Sequence, residues 1–222
     1  MGEDALAEYR RKRDADRTPE PAGDGGTGSG GSPRFVIQEH DASTRHWDLR
    51  LEVDGTLASW AVPKGPSTDP AERRLAIRTE DHPLAYADFE GVIPEGEYGA
   101  GTVLVWDEGT YRNLKAEGDD GGEDDAPDVA AQVRDGHVTV WLEGEKLRGG
   151  YALTRTDPGD GDEDERWLLV KMDDEAADAR RNPTSTEPRS VRSGRTMDEI
   201  RADGADGGNA GGGEEGGGDD RG

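Results

Sequence analysis

Residues 47–62 read WDLRLEVDGTLASWAV, and this stretch decides the fold class. Between Trp47 and Val53, apolar residues alternate with charged ones, which is the period of two that a half-buried strand requires. Asp54-Gly55 is a strong signal for a hairpin turn. Leu57–Val62 is predicted to form the return strand, so the stretch as a whole predicts an antiparallel β-hairpin.

Further short strands are predicted on both sides of this hairpin. They are Phe35–Gln38, Leu75–Glu80, Thr102–Trp106, Thr110–Arg112, His137–Leu142, Tyr151–Arg155 and Arg166–Lys171. Many short strands separated by turn residues are typical of an antiparallel barrel or sandwich. We therefore expect a mainly β protein with an antiparallel β-barrel-like core, short flanking helices, and disordered acidic and glycine-rich termini.

The composition restricts the core to part of the chain. Of the 222 residues, 30% are apolar and 35% are charged, which is too polar for uniform packing. We expect one domain, a β-barrel over residues 34–172. A charged leader over 1–21, with a helix from Asp4 to Asp16, precedes it, and a flexible Gly/Ser linker covers 22–33. Residues 173–222 are expected to be a charged, disordered tail.

The net charge of −24 is concentrated in three acidic segments. Residues 117–128, 157–165 and 198–222 carry 19 of the 24 net negative charges, so the rest of the chain is close to balanced. Acidic loops around an ordinary core indicate either adaptation to a halophilic, high-salt cytoplasm or acidic linkers in an ordinary one. Composition does not choose between the two. At 1 M salt the Debye length is about 3 Å, so such loops would repel a polyanion only at contact.

Several classes of protein are excluded or disfavoured. The chain has no cysteine, which excludes disulfides, thiolate metal sites and cysteine nucleophiles. It has no signal-peptide or transmembrane pattern, so we expect a soluble cytoplasmic protein. The Gly-x-Ser-x-Gly motif of serine hydrolases is absent. The glycine-rich stretch Pro94–Gly101 matches neither a P-loop nor a dinucleotide fingerprint, and we interpret it as a structural loop.

The residues that could carry chemistry are densest in QEHDASTRHWDLR, residues 38–50. His46, Asp48 and Arg50 are spaced by two, so a strand would project all three from one face. His40, His46 and His82 are three of only four histidines in the chain. Histidine together with carboxylate suits manganese, zinc or iron as a metal ligand set. The alternative interpretation is the solvated polar face of an edge strand.

A second group follows in TEDHP, residues 79–83, where Pro83 favours an extended geometry at His82. Either a ligand or a histidine at a turn would fit this position. Positive charge accompanies both groups, and guanidinium pairs bidentately with phosphate. The residues concerned are Arg45, Arg50, Lys64, Arg74 and Arg78. The fourth histidine, His137, begins a strand and is interpreted as structural.

These ordered motifs resemble the 3′-phosphoesterase domain of bacterial DNA ligase D and its stand-alone archaeal homologues. The resemblance runs through FVIQEHDASTRHWDLRLEVDGTLASWAVPKGPS, RLAIRTEDHPLAYADFEGVIPEGEYGAGTVLVWDEGTY, KLRGGYALTR and RWLLVK, which cover most of residues 34–171. The leader YRRKRDADRTPEP is also similar to that of the family.

The resemblance implies a barrel-like fold with one Mn²⁺, or another divalent transition metal such as Co²⁺ or Zn²⁺. It implies a hydrolase acting at 3′ ends in DNA repair and non-homologous end joining. A phosphodiesterase step would remove a terminal ribonucleoside, and a phosphomonoesterase step would then expose a 3′-hydroxyl. The expected partners are the 3′ end of primer-template DNA or RNA-tipped DNA, and a separately encoded DNA ligase or polymerase. We expect a monomer without membrane contact.

The resemblance also implies roles for individual residues. It assigns metal binding to His40, Asp48 and His82. It assigns catalysis to His46, Arg50 and Tyr86, with phosphate contacts from His46 and Arg50. The positive charges of Lys64 and Arg74 predict two further phosphate contacts. Its positions for monoester removal are matched by Arg13, Asp14, Glu20 and Glu80.

Two other functions stay open on the sequence alone. His46, Asp48 and His82 have the composition of the two-histidine, one-carboxylate triad of iron oxygenases. The fold could also serve as a non-catalytic adaptor that binds DNA ends.

Overall fold

The computed structural model describes residues 5–13, 17–22, 31–117, 128–157 and 165–207. The strands in these ranges are β1 (Arg34–Asp41), β2 (Arg45–Val53), β3 (Thr56–Val62), β4 (Arg73–Pro83), β5 (Gly91–Ile93), β6 (Gly101–Asn113), β7 (His137–Gly144), β8 (Arg148–Asp157) and β9 (Arg166–Lys171). The helices are α1 (Ala7–Lys12), α2 (Leu114–Glu117), α3 (Val129–Asp135), α4 (Pro183–Thr186), α5 (Met197–Gly207) and a 3₁₀ helix (Leu84–Asp88).

The strands form a closed antiparallel barrel. Their order is β1-β2-β3-β4-β9-β8-β7-β6, and β6 pairs with β1 to close the ring of eight. Strand β5 adds to one end of β6. Closure leaves no unpaired edge along most of the sheet, which removes a site for edge-to-edge aggregation. The predicted fold class, mainly β with an antiparallel barrel and short flanking helices, is confirmed.

The hairpin that the sequence predicts joins β2 and β3. Val53 pairs with Thr56, and Asp54 and Gly55 both have positive φ, at 49° and 80°. Two consecutive residues with positive φ are the requirement of the tight hairpin turn that matches strand twist, and Asp-Gly supplies them at low cost.

Strand β6 is longer than predicted because it contains a bulge. The sequence predicts separate strands at Thr102–Trp106 and Thr110–Arg112, whereas one strand covers both. Ile37 of β1 pairs with Asp107 and Gln38 pairs with Val105, which leaves Trp106 as an extra residue. A bulge interrupts the alternation of faces, so the periodic pattern breaks although the strand continues.

The two faces of the sheet carry different cores. The interior cluster draws apolar residues from all eight barrel strands and includes Trp60, Trp106 and Trp167. A smaller cluster on the outer face contains Val36 and Val105 together with Tyr86 of the 3₁₀ helix and Tyr9 of α1. Because side chains alternate along a strand, polar residues on the outer face of β1 and β2 lie beside this second cluster.

The leader docks on that outer face. Helix α1 is shorter than the predicted Asp4–Asp16 helix, of which Asp4 and residues 14–16 lie outside the described residues. Leu6 and Tyr9 are buried, and α1 packs against β4. Of the predicted linker over 22–33, residues 23–30 lie outside the described residues.

The expectation of a disordered tail from residue 173 is wrong for residues 173–207. Met197 and Ile200 belong to the interior cluster and are 6% and 2% exposed. Backbone atoms of the tail also bind the barrel, since Nε1 of Trp106 and Nζ of Lys146 both donate to the carbonyl of Glu187. These hydrogen bonds to the tail backbone supplement its few apolar contacts, so a polar segment is still held on the barrel. Residues 208–222 lie outside the described residues.

No helix in the described parts of the chain is both long and apolar enough to cross a membrane.

Candidate active site

Two neighbouring strands bring together a group of side chains that could hold a metal ion. His40 on β1 pairs in register with His46 on β2, and Asp48 follows two residues later on the same face. One ligand atom from each of the three lies within 4.8 Å of the others. Oδ2 of Asp48 is 3.9 Å from Nδ1 of His40, and Oδ1 is 3.6 Å from Nε2 of His46.

Backbone carbonyls fix the tautomers of both histidines. Nε2 of His40 donates to the carbonyl of Gly99 at 2.9 Å, and Nδ1 of His46 donates to the carbonyl of Thr44 at 2.8 Å. A carbonyl only accepts, so each of these nitrogens carries the hydrogen. In the neutral form of each ring, the other nitrogen has the lone pair, and it lies on the side of Asp48. Metal-binding histidines usually donate their outer N–H in this way.

The protonation state of His40 also agrees with a ligand role. Burial lowers the pKa of His40, against the opposing effect of the Asp48 carboxylate. A ligand histidine has to be neutral, and burial favours the neutral ring. The two nitrogens and the carboxylate are a donor set that fits a divalent transition metal.

Arg50 connects this group to the rest of the outer face. Its guanidinium is buried and donates from Nη2 to Oδ2 of Asp48 at 2.9 Å. Nε donates to Oε1 of Gln38 at 2.7 Å, and Nη1 donates to Oγ of Ser59 at 2.9 Å. Because the planar guanidinium is held at several points, the carboxylate of Asp48 is held with it.

His82 is not a member of the metal-capable group. Its Nδ1 lies 3.0 Å from Nη1 of Arg50 and 2.9 Å from the carbonyl oxygen of Glu80, while Nε2 lies 3.3 Å from Nη2 of Arg13. Burial lowers its pKa well below the ordinary value, and the charges of Arg50 and Arg13 act in the same direction. His82 is therefore a neutral ring between two guanidinium groups.

The iron-oxygenase triad of His46, Asp48 and His82 is consequently not assembled among the described residues.

Aromatic rings pack around His82. Tyr86 contacts it edge-on with a centroid distance of 4.7 Å, and Tyr9 does so at 5.1 Å. Gln38 holds the 3₁₀ helix in place, because its Nε2 donates to the carbonyls of Tyr86 and Phe89. Burial holds the pKa of Tyr86 well above its ordinary value, so the phenol stays protonated.

The leader contributes a second group of charged side chains to the site. Arg13 donates from Nε to Oε1 of Glu20 at 2.8 Å and from Nη1 to Oε1 of Glu80 at 3.0 Å. Burial alone would raise the pKa of Glu80, but hydrogen bonds from Arg13 and Lys12 outweigh it and lower the pKa. Three of the four residues predicted for monoester removal thus lie together. The fourth, Asp14, lies outside the described residues.

A pocket of about 170 Å³ joins the two groups. Its lining includes the residues His40, His46, Asp48, Arg50, Arg13, Glu80, His82, Tyr86, Tyr98 and Gly99. The Pro94–Gly101 stretch, interpreted from sequence as a structural loop, therefore contributes Tyr98 and the Gly99 carbonyl to the site.

Two predicted phosphate-binding residues lie elsewhere. Lys64 is exposed just after β3, whose Val62 pairs with Trp47, so it is near the His46 end of the sheet but does not line the pocket. Arg74 lines a separate polar pocket with Arg181 and pairs with Glu72. His137 is exposed on β7, away from these groups.

Sequence reasoning missed four residues that shape the site, namely Tyr9, Gln38, Ser59 and Tyr98. The spacing of two between Gln38 and His40 could have identified Gln38, because it places both on one face of β1. No local signal distinguishes Tyr9, since its partners come from β4 and the 3₁₀ helix.

The chain is similar to known proteins over most of its length. Residues 38–155 match the model of the DNA Ligase D 3′-phosphoesterase domain. The multifunctional non-homologous end joining protein LigD of Pseudomonas aeruginosa is 49% identical over 195 residues, which cover 86% of this chain and 22% of that protein. LigD of Mycobacterium tuberculosis is 47% identical over 169 residues, covering 76% and 20%. The chain thus spans about a fifth of the length of these curated relatives.

Proposed function

This chain belongs to the DNA Ligase D 3′-phosphoesterase domain family, and we propose that it is a metal-dependent hydrolase that trims the 3′ ends of nucleic acids. Family membership supports an end-processing role in DNA repair. The observation that carries the metal-dependent mechanism is the His40–His46–Asp48 group, with lone pairs on facing atoms, beside the buried Arg50.

His40, His46 and Asp48 are the proposed metal ligands, with manganese as the proposed ion. This set replaces His82 of the sequence-based assignment by His46, because His46 offers a free nitrogen toward Asp48 and His82 does not. When bound, the ion would supply a Lewis acid for a non-bridging phosphate oxygen.

The protein's own side chains account for the rest of the site. Arg50 holds Asp48 in place and presents positive charge where a phosphoryl group gathers negative charge. The neutral ring of His82 lies between Arg50 and Arg13 and would hold their guanidinium groups beside the reacting phosphate, to which the Tyr86 phenol can donate a hydrogen bond. Tyr9 holds the leader against both rings.

Two hydrolyses follow from this assignment. In the first, water adds to the terminal phosphodiester, the bond from phosphorus to O5′ breaks, and the terminal nucleoside leaves with a protonated 5′-oxygen. In the second, water replaces the remaining 3′-oxygen on phosphorus, releasing inorganic phosphate and a 3′-hydroxyl. The monoester carries an additional negative charge, and Arg13 beside Glu20 and Glu80 is the group proposed to accommodate it.

The test is a 5′-labelled primer that ends in one ribonucleotide, annealed to a template and incubated with Mn²⁺. We expect a product shortened by one nucleoside with a 3′-phosphate, followed by a product with a 3′-hydroxyl. His40→Ala and Asp48→Ala should abolish both products, because losing a charge-stabilising group commonly costs about 10²-fold or more. His137→Ala is the matched control, since it removes a histidine outside the site.

An unshortened primer with wild-type protein would overturn the proposal. If the primer binds but is not trimmed, the adaptor function would replace it.

A further inference from the structure

Tyr98 is the exposed tyrosine at the mouth of the pocket. It is 48% exposed, whereas Tyr9, Tyr86, Tyr111 and Tyr151 are each 2% exposed or less. The other large apolar or aromatic residues exposed among the described ranges, Leu75 and Met172, do not line this pocket. An aromatic ring left in water beside a reaction site is a surface that a ligand can cover.

The loop that carries Tyr98 is tied to the metal-capable group. The next residue, Gly99, accepts the Nε2 hydrogen of His40 through its carbonyl. Turn hydrogen bonds from Glu97 to Pro94 and from Ala100 to Glu97 brace the loop. Its end is tightly packed, since a Cβ at Gly101 would meet the carbonyl oxygen of Asp41 at 2.4 Å. The backbone that carries Tyr98 is thus anchored beside His40.

The leader supports the ring from one side. Nζ of Lys12 lies 4.6 Å from the ring centroid and donates to the phenol oxygen at 3.2 Å. The guanidinium carbon of Arg13 lies 5.4 Å from the same centroid, and Gly99 and Ile93, whose side chains offer no hydrogen-bonding group, also line the pocket. The part of the ring that stays exposed therefore offers an apolar surface to a flat ligand, with the two leader cations at its border.

We propose that Tyr98 forms a nucleobase subsite, on which the base of the 3′-terminal nucleoside stacks while its phosphate lies at the His40–His46–Asp48 group. The proposal rests on the proposed function and specifies how its leaving nucleoside is held. The carbonyl of Gly99, the residue after Tyr98, binds His40 directly, and Tyr98 lines the same pocket as the His40–His46–Asp48 group. Stacking on an aromatic ring accepts every base, because every base has a π-face.

The experiment compares three primers on one template with Mn²⁺. The first ends in a ribonucleoside, the second ends in the same ribose without a base, and the third ends in a 3′-phosphate and has no terminal nucleoside. Stacking is worth about 1–3 kcal/mol per base by alanine substitution, so Tyr98→Ala should raise KM for the first primer by about 5- to 150-fold. The KM values for the other two primers should not rise with it.

Two further variants separate stacking from other roles. Tyr98→Phe removes the hydrogen bond with Lys12 but keeps the ring. The KM of this variant for the first primer should therefore stay close to the wild-type value. Leu75→Ala is the matched control, because it removes an exposed apolar side chain outside the pocket. Thermal melting should report the same folded state for all variants.

Three results would overturn the subsite. An equal rise in KM for the first and second primers would mean that no base is involved. A rise for the 3′-phosphate primer would mean that Tyr98 acts through Lys12 and the leader. If the wild-type protein trims no primer, the proposed function fails, and primer affinity by fluorescence anisotropy then decides the subsite. In that case, equal affinity of wild type and Tyr98→Ala for the first primer overturns it.

Discussion

Replacing Gln38 by Leu should weaken both the fold and metal binding. The side chain is fully buried and makes three hydrogen bonds, one from the charged Nε of Arg50 and two to the carbonyls of Tyr86 and Phe89. Leu has a similar size but offers no polar atom. A bond to a charged group contributes about 1.5–3 kcal/mol and a neutral one about 0.5–1.5 kcal/mol. The loss should therefore be about 2.5–6 kcal/mol of unfolding free energy.

Metal affinity should fall as well, because Gln38 orients Arg50 and Arg50 orients Asp48. Loss of an outer partner of a metal ligand typically costs about 10- to 100-fold in affinity. Urea denaturation would measure the stability change, and isothermal titration with Mn²⁺ would measure the affinity, at a temperature where the variant is folded.

Gln132→Leu is the matched control for this prediction. Gln132 is also fully buried and bonds Asn113 and the amide of Thr139, but it lies on α3. It should lose stability without losing Mn²⁺ affinity. If folded Gln38→Leu binds Mn²⁺ and turns over like the wild type, Gln38 does not control the orientation of Arg50, and the reasoning is refuted.

Four further predictions concern the leader, the barrel and the acidic segments. Tyr9→Ala should remove the ring that docks α1 on His82 and Tyr86, so 3′-phosphate removal should fall at least 10-fold while nucleoside removal falls less; equal losses in the two assays would contradict this. Asp107→Asn should cost about 1–3 kcal/mol in urea denaturation, because the carboxylate accepts backbone N–H groups from Glu145, Lys146 and Leu147 and an amide nitrogen cannot accept; an unchanged midpoint would count against it. The pKa of Glu80 is lowered, so its ionised carboxylate stabilises leader docking at every pH above the ordinary pKa of a glutamate. This contribution is lost as pH falls through the lowered pKa. The Tyr9 ring resonances should report the loss by NMR at acidic pH, and Glu80→Gln should remove that pH dependence. Trimming activity should persist from low to molar KCl if the acidic segments are an adaptation to salt, and its disappearance at molar KCl would exclude that interpretation.

The barrel could be predicted from sequence where alternation was clean. The 47–62 hairpin has a regular period and an Asp-Gly turn, and its strands and turn are confirmed. The prediction failed where distant contacts decide the structure. Met197 and Ile200 are isolated apolar residues in a charged segment, and only the barrel surface that they cover makes them part of a core.

The candidate site also combines features that the sequence predicts with features that only distant contacts decide. Spacing places His46, Asp48 and Arg50 on one face of β2, and this follows from the sequence. Choosing between His46 and His82 as a ligand does not, because both are histidines near a strand end. The choice depends on which neighbour faces each ring nitrogen. A carbonyl at Thr44 leaves the Nε2 lone pair of His46 free toward Asp48, whereas Nδ1 of His82 donates to the carbonyl of Glu80 and Nε2 faces Arg13. Those neighbours come from three separate segments of the chain, so the proposed ligand set depends on the fold rather than on a motif.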